Sequence, residues 1–293
     1  MKKEGTPPQA ILNNYLEWGK HRGWSEGYSR TTRVRMNWWV AALSMNSIKE
    51  LEDRSIVAKA EDALQKYSTG KSFATLNTMV QTIKAFSSWA YKRGYLDSNP
   101  LSGMEGYKFV ATSKRRALTR QEISTLFHHC RPERKLLYQL AIYTGYRAGE
   151  LSKLKVKSFT GTHLILDGRH TKNRKPACQP LPDFLQRGLR RHCQNMDKED
   201  CLVIVPAKPS ESLQFDLKRA GIEFQNEEGK VDFHSLRVTF VTLLDEMGLS
   251  AGEMMALARH STPDLTLGTY TKPGHARIEK KMNAMEGGSD DGF

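Results

Sequence analysis

Cysteine is scarce: Cys130, Cys178, Cys193 and Cys201 are the only four in 293 residues. No two of them have the C-x-x-C spacing, so a disulfide scaffold and a paired-cysteine redox or zinc motif are both excluded. Long apolar runs are absent too. None approaches the roughly 18 consecutive residues that a membrane-spanning helix needs. The opening MKKEGTPPQA is basic but lacks the apolar stretch of a signal peptide, which points to a soluble, reduced, cytoplasmic protein with no membrane partner. No Walker-type phosphate loop occurs. Acidic residues are outnumbered, 32 against 45 Lys and Arg, giving a net charge of +13. A hydrophobic content of 39% still supplies a core, so wholesale disorder is excluded. The length favours two domains, although one large domain is compatible with it. The charge suggests a polyanionic partner, nucleic acid before an acidic membrane surface, although a basic surface alone specifies neither.

The pattern predicts a mainly α protein with a small antiparallel β-sheet. Apolar residues at helical spacing mark helices over 9–22 (Ile11, Tyr15, Trp18), 29–43 (Val34, Trp38, Ala41), 55–68 (Ile56, Ala60, Leu64, Tyr67) and 72–92 (Leu76, Met79, Val80, Ile83, Phe86, Ala90). Trp38 and Trp89 read as core residues. Residues 1–103 carry 15 Lys or Arg against 9 Asp or Glu. DSNPLSGMEG (97–106) breaks the pattern. Lys114, Arg115 and Arg116 then form a basic run that is either a solvated surface or a phosphate contact. A second domain opens at Leu118, where Thr119 and Glu122 fit a capping box, as do Ser250 and Glu253. Helices are expected at 119–129, 132–143, 212–220, 234–247 and 250–259. Short strands at 163–167 and 177–181 flank a basic tip, and 201–206 is an apolar run of uncertain type. Another helix begins near Pro263, and an amphipathic helix covers 275–285. The tail reads as disordered.

Four places carry chemistry. In TGYRAGEL (144–151), Gly145 ends a helix, Arg147 stands at a turn and Glu150 is placed to orient it, so the guanidinium fork can face a phosphate. In HSLR (234–237), His234 and Arg237 share a helix face. Lys172, with Arg174 and Lys175, lies on the hairpin tip, where an ammonium can protonate a leaving oxygen. In ARHSTPDLTLGTYTK (258–272), His260 is followed ten residues on by Tyr270. A phenol with a pKa near ~10 is a nucleophile only where cations stabilise the developing anion. Each place alone is equally an ordinary surface or core residue. His128, His129 and Cys130 are the most compact His/Cys group, and three adjacent residues fit no usual zinc spacing.

Taken in order, these residues resemble the tyrosine recombinase (phage integrase) family of site-specific DNA recombinases. TGYRAGEL is similar to the family's T-G-x-R-x-x-E-L box and HSLRVTF to its H-x-L-R-H-T-F box. LNTMVQTIKAFSSWAYKRGYLDSNPL (76–101) is similar to the end of its core-binding domain. Two departures are visible: Val238 replaces a frequent second histidine, and His260 to Tyr270 spans ten residues where nine is commoner. The resemblance implies a C-shaped, two-domain DNA clamp. It comprises a helical, SAM-like core-binding domain (1–103), a basic linker (104–117), a catalytic domain with a C-terminal exchange helix (118–286) and a disordered tail (287–293). It implies Tyr270 as nucleophile, Arg147, Arg237 and His260 on the scissile phosphate, Lys172 as proton donor, His234 as an aid to proton transfer to and from the tyrosine, and Glu150 as support. Lys114, Arg115, Arg116, Arg174 and Lys175 would contact DNA. Neither ATP nor a metal nor another cofactor is implied. The partners would be double-stranded DNA with a specific core site, three further copies in a homotetramer on two sites, and an accessory directionality factor. The setting would be the nucleoid of a bacterium, with the gene carried by host, phage or mobile element. A type IB topoisomerase and a non-catalytic DNA-binding regulator on the same scaffold remain the alternatives.

Overall fold

The computed structural model describes residues 6–108, 114–171 and 175–259. The chain divides into two compact units, Met1–Ala111 and Thr112–Phe293. Both are mainly helical, and the small ladders of the second unit are antiparallel.

In the first unit, helices α1 (Pro8–His21), α2 (Glu26–Ala42), α3 (Ile56–Tyr67) and α4 (Phe73–Lys92) surround one core. The Ser72 hydroxyl caps α4 by accepting from the Thr75 amide, and Gly94 leaves it at a positive φ of 71°. Its expected stripe, Leu76 to Ala90, is buried throughout. α4 packs on both α1 and α2. The inward face of α2 differs from the expected one. Ser29, Thr32, Met36 and Trp39 are buried, whereas Val34 is 64% exposed, Ala41 is exposed and Trp38 is only partly covered. Two hydroxyl side chains occupy inward positions, so apolar periodicity selects the wrong phase. Trp39 then fixes the face, its indole N–H donating to the Met79 carbonyl at 3.0 Å inside the core. Trp89 is buried as expected.

The segment read as a basic linker is docked at both described ends. Met104 is buried, Lys84 donates to its carbonyl, and the Asn77 amide brackets the backbone of Tyr107. Beyond residues 109–113, Arg115 bridges to Lys230 and Leu118 enters the second core.

The second unit begins with α5 (Arg120–His129), closed by the Thr119–Glu122 capping box, and α6 (Pro132–Thr144). A one-turn helix, α7 (Ala148–Leu151), follows. Strands β1 (His163–Leu166) and β2 (Ala177–Pro180) pair antiparallel, Leu164 opposite Gln179. Helix α8 (Asp183–His192) was not anticipated. Only Leu185 and Leu189 of its ten residues are buried, four apart, too few to stand out among its charges. Residues 201–206 form no strand. Cys201 makes one bridge to Lys155, Leu202 is buried, and Ile204 is 82% exposed. Helix α9 (Pro209–Arg219) leads to a second small hairpin, β3 (Gln225–Asn226) and β4 (Gly229–Lys230), also unforeseen. Helices α10 (Ser235–Glu246) and α11 (Ala251–Ala258) complete the described chain. α10 lies against α6 and is buried from Ser235 to Val241. The helices expected near Pro263 and over 275–285, and the tail, lie outside the described residues. No described helix is long and apolar enough to cross a membrane.

One buried charge fastens α9 to α6. Asp216 is fully buried and accepts from Arg134 Nε and Nη2, both at 2.6 Å, and from the Tyr138 hydroxyl at 2.7 Å. Removing the carboxylate strands a guanidinium that is itself 13% exposed. Asp216→Ala is therefore expected to destabilise the second unit by about 3–5 kcal/mol. All five tryptophans lie in residues 1–103, so urea melts by tryptophan fluorescence should stay put while the far-ultraviolet circular dichroism loss moves to lower urea.

Candidate active site

The site is built on the turn from α6 to α7. Gly145 ends α6 in the left-handed region, φ 63°, and a Cβ there would stand 2.4 Å from Phe240 Cδ1. Conformation and space thus both demand glycine. Arg147 follows at the N-cap of α7 with extended backbone. Its amide donates to Glu150 Oε2 at 3.0 Å and its Nη1 to Glu150 Oε1 at 2.9 Å. One buried carboxylate therefore caps the helix and aims the guanidinium. The Arg147 side chain remains 32% exposed.

α10 brings the second arginine. Arg237 is 3% exposed, and its Nη1 donates to the Gly145 carbonyl at 2.6 Å, joining groups 92 residues apart. Its Nη2 donates to the Ala258 carbonyl at the end of α11. His234, one turn earlier, is the α10 N-cap residue. The residue is exposed overall, but the surrounding protein mass partly desolvates its ring. With the charges of Arg115, Arg237 and Arg147, that lowers its pKa below the usual imidazole value, against the pull of Asp232.

A third guanidinium escaped the sequence reading. Arg259 follows α11 with φ 54° and ψ 43°, a left-handed conformation normally left to Gly or Asn. Its guanidinium carbon lies 4.1 Å from the centre of the Tyr146 ring. Its Nη2 donates to Glu150 Oε2 at 3.1 Å and, at 3.4 Å, to the Gly145 carbonyl. Its Nη1 is buried without a hydrogen-bond partner among the described residues. The only signal in the sequence was an arginine where a helix stop was due.

Arg147, Glu150, His234 and Arg237 thus come together. Lys172, Arg174, His260 and Tyr270 lie outside the described residues. Lys114 and Lys175 are exposed, and Arg115 is half-exposed with its Nε on Asp232. Arg116 does not fit the expected DNA-facing role. It is 6% exposed, its fork closes on both Glu122 oxygens, and Nη2 donates to the Glu223 carbonyl. It fastens the entry to α5, and a basic run in sequence hid this: Glu122 lies only six residues on, but the Glu223 carbonyl that completes the burial is 107 residues away. Tyr146 is buried, donates its hydroxyl to the Leu164 carbonyl at 3.1 Å, and has its pKa pushed up to about 12, chiefly by burial. His128 and His129 face carbonyls of their own helix, and no group of metal-holding geometry occurs among the described residues.

Arg147 and Arg237 thus meet at the Gly145 turn, the first paired with Glu150 and the second held by backbone carbonyls, a concentration of positive charge. The chain belongs to the phage integrase family, the tyrosine recombinases, enzymes of DNA strand exchange; the match covers residues 116–277. Among curated relatives, a tyrosine recombinase XerC-like protein of Caldanaerobacter subterraneus subsp. tengcongensis is 25% identical over 272 residues, 75% of this chain and 67% of the relative. Tyrosine recombinase XerA of Thermococcus onnurineus is 26% identical over 235 residues, 74% and 78% of the two chains. Among solved structures, a lambda integrase (75–356) dimer bound to a COC′ core site has TM-score 0.72 at 16% identity, covering 88% of this chain and 96% of that one. A lambda integrase tetramer bound to a Holliday junction has TM-score 0.73, also at 16%, over 93% and 80%. These structures share the fold.

A lowered pKa means that the folded chain resists the proton that the unfolded chain accepts below about 6.5, so this group costs stability as the pH falls. The His234 Cε1 proton should titrate below that ordinary value by NMR in the free protein. The value should rise when a duplex brings its phosphate charge alongside.

Proposed function

We propose that the chain is a site-specific recombinase that cuts and rejoins duplex DNA through a covalent link to Tyr270. The tyrosine oxygen attacks the scissile phosphorus, the bond to the 5′-oxygen breaks, and a 3′-phosphotyrosyl ester remains. The phenolic proton passes toward His234, and Lys172 supplies a proton to the departing 5′-oxygen. Arg147, Arg237 and His260 hold the non-bridging oxygens, where charge grows in the transition state. One ester replaces another of similar energy, so neither ATP nor a metal is needed. The reverse attack, by a 5′-hydroxyl of the partner duplex, completes the exchange.

The observation that carries this reading is the meeting of Arg147 and Arg237 at the Gly145 turn, from segments far apart in the chain, with Glu150 behind one and His234 one turn before the other on α10. The lowered pKa of His234 suits a proton acceptor at neutral pH. The internal hydrogen bond of Tyr146 argues against that residue as an alternative nucleophile. The two units would close on DNA, with Lys114, Arg115, Arg174 and Lys175 on its backbone. Four copies on two sites would supply the four cuts, as the lambda integrase tetramer on a Holliday junction suggests by its fold. The 275–285 helix, with Ile278, Met282 and Met285, would dock on a neighbouring copy, and an accessory factor would set direction.

A nicked duplex made from the DNA ends flanking the gene should trap the covalent complex on a denaturing gel. Tyr270→Phe is expected to bind that duplex and give no covalent band, and a surviving band would place the nucleophile elsewhere. Arg147→Ala should slow band formation by ~10²–10³-fold. Lys172→Ala should slow cleavage of the normal ester and spare a 5′-thio ester, whose leaving group needs no proton. Plasmid relaxation without a specific site would favour the topoisomerase alternative.

A further inference from the structure

We propose that Arg259 is a positioning residue that keeps Glu150 from closing on Arg147. The inference rests on the reading of Arg147 as a phosphate clamp and adds a device that sets how much of its fork is on offer.

Arg259 shares both of its acceptors with the proposed catalytic arginines: the Gly145 carbonyl with Arg237, and Glu150 with Arg147. The division of Glu150 is informative. Its Oε1 takes Arg147 Nη1, while its Oε2 takes the Arg147 amide and Arg259 Nη2. Among the described residues, the Arg147 guanidinium therefore meets Glu150 through one nitrogen only. An arginine beside a buried carboxylate ordinarily pairs with both oxygens, two parallel bonds in one plane. Arg259 competes for the second oxygen and prevents that arrangement. The fork of Arg147 keeps an edge toward solvent, where a phosphate would sit.

The backbone points the same way. A residue with a Cβ is strained at φ 54°, and glycine would end α11 without that strain. The position carries instead a long, charged side chain, buried against Tyr146 at 4.1 Å. The Arg237 bond to the Ala258 carbonyl holds the preceding residue, so the Arg259 stem starts from a fixed point.

Arg259→Gly tests this without endangering the fold, because glycine is the residue that backbone favours. A crystal structure of the variant should show Glu150 with both oxygens on the Arg147 guanidinium, each at about 3 Å. On the nicked duplex, covalent complex should form at least tenfold more slowly at saturating DNA, with the dissociation constant changed less than threefold. Adding Glu150→Gln, which removes the charge and the second acceptor oxygen, should make the double variant faster than Arg259→Gly alone. Arg259→Lys, a cation without the fork, should recover only part of the rate. A Glu150 still bonded through one oxygen in the variant structure, a wild-type rate, or a double variant no faster than the single overturns the proposal. If the wild-type protein gave no covalent band, the recombinase reading would fail, while the crystal structure would still decide the Glu150 geometry.

Discussion

The carbonyl oxygen of Gly145 is where the second unit is tied together. It belongs to the turn that ends α6, it accepts from Arg237 on α10, and it lies within reach of Arg259 at the end of α11. Three elements, two of them 92 and 114 residues from the turn, are thereby referred to a single atom. That atom is positioned by a glycine that nothing larger can replace, because Phe240 fills the space its side chain would need. The packing of α10 on α6 and the aim of the arginines are thus one constraint, and a shift in one moves the other.

Concentrating guanidiniums in a buried place is costly unless their charges and donors are met. Here Glu150 supplies the negative charge for Arg147 and Arg259, carbonyls take Arg237, and the Tyr146 face takes Arg259. The arrangement leaves a positive excess that an anionic ester can satisfy. It also explains the state of His234. Desolvation, with the charges of Arg115, Arg237 and Arg147, holds its imidazole below the usual pKa and so disfavours the protonated form. A second buried carboxylate, Asp216, works differently: Arg134 and Tyr138 saturate it, and it serves only to hold α9 on α6.

The first unit is held by other means. Its core is aromatic, with Tyr15 in contact with Trp18, Trp24, Phe86 and Trp89. Ring contacts of this kind join large surfaces at few positions, so a short four-helix unit gains a continuous core. Its last residues, Met104 to Tyr107, are stitched back onto α4 through Asn77 and Lys84.

What the sequence determined by itself was local or ordered along the chain. Periodicity located α1, α3, α4 and α6 to within a residue or two, because burial of one helix face leaves a 3.6-residue trace. The Thr119–Glu122 and Ser250–Glu253 boxes formed because both partners sit within one turn. The order of Arg147, Lys172, His234, Arg237, His260 and Tyr270 pointed to the family without any structure. Tertiary structure decided whatever depended on a distant partner. It turned α2 by its hydroxyl residues, buried Arg116 against Glu122 and Glu223, and assembled α8 around two leucines. It also placed Arg259 between Tyr146 and Glu150. An arginine carries the same charge in every context, and only the groups folded around it decide whether that charge faces DNA, locks a helix or restrains a neighbouring carboxylate.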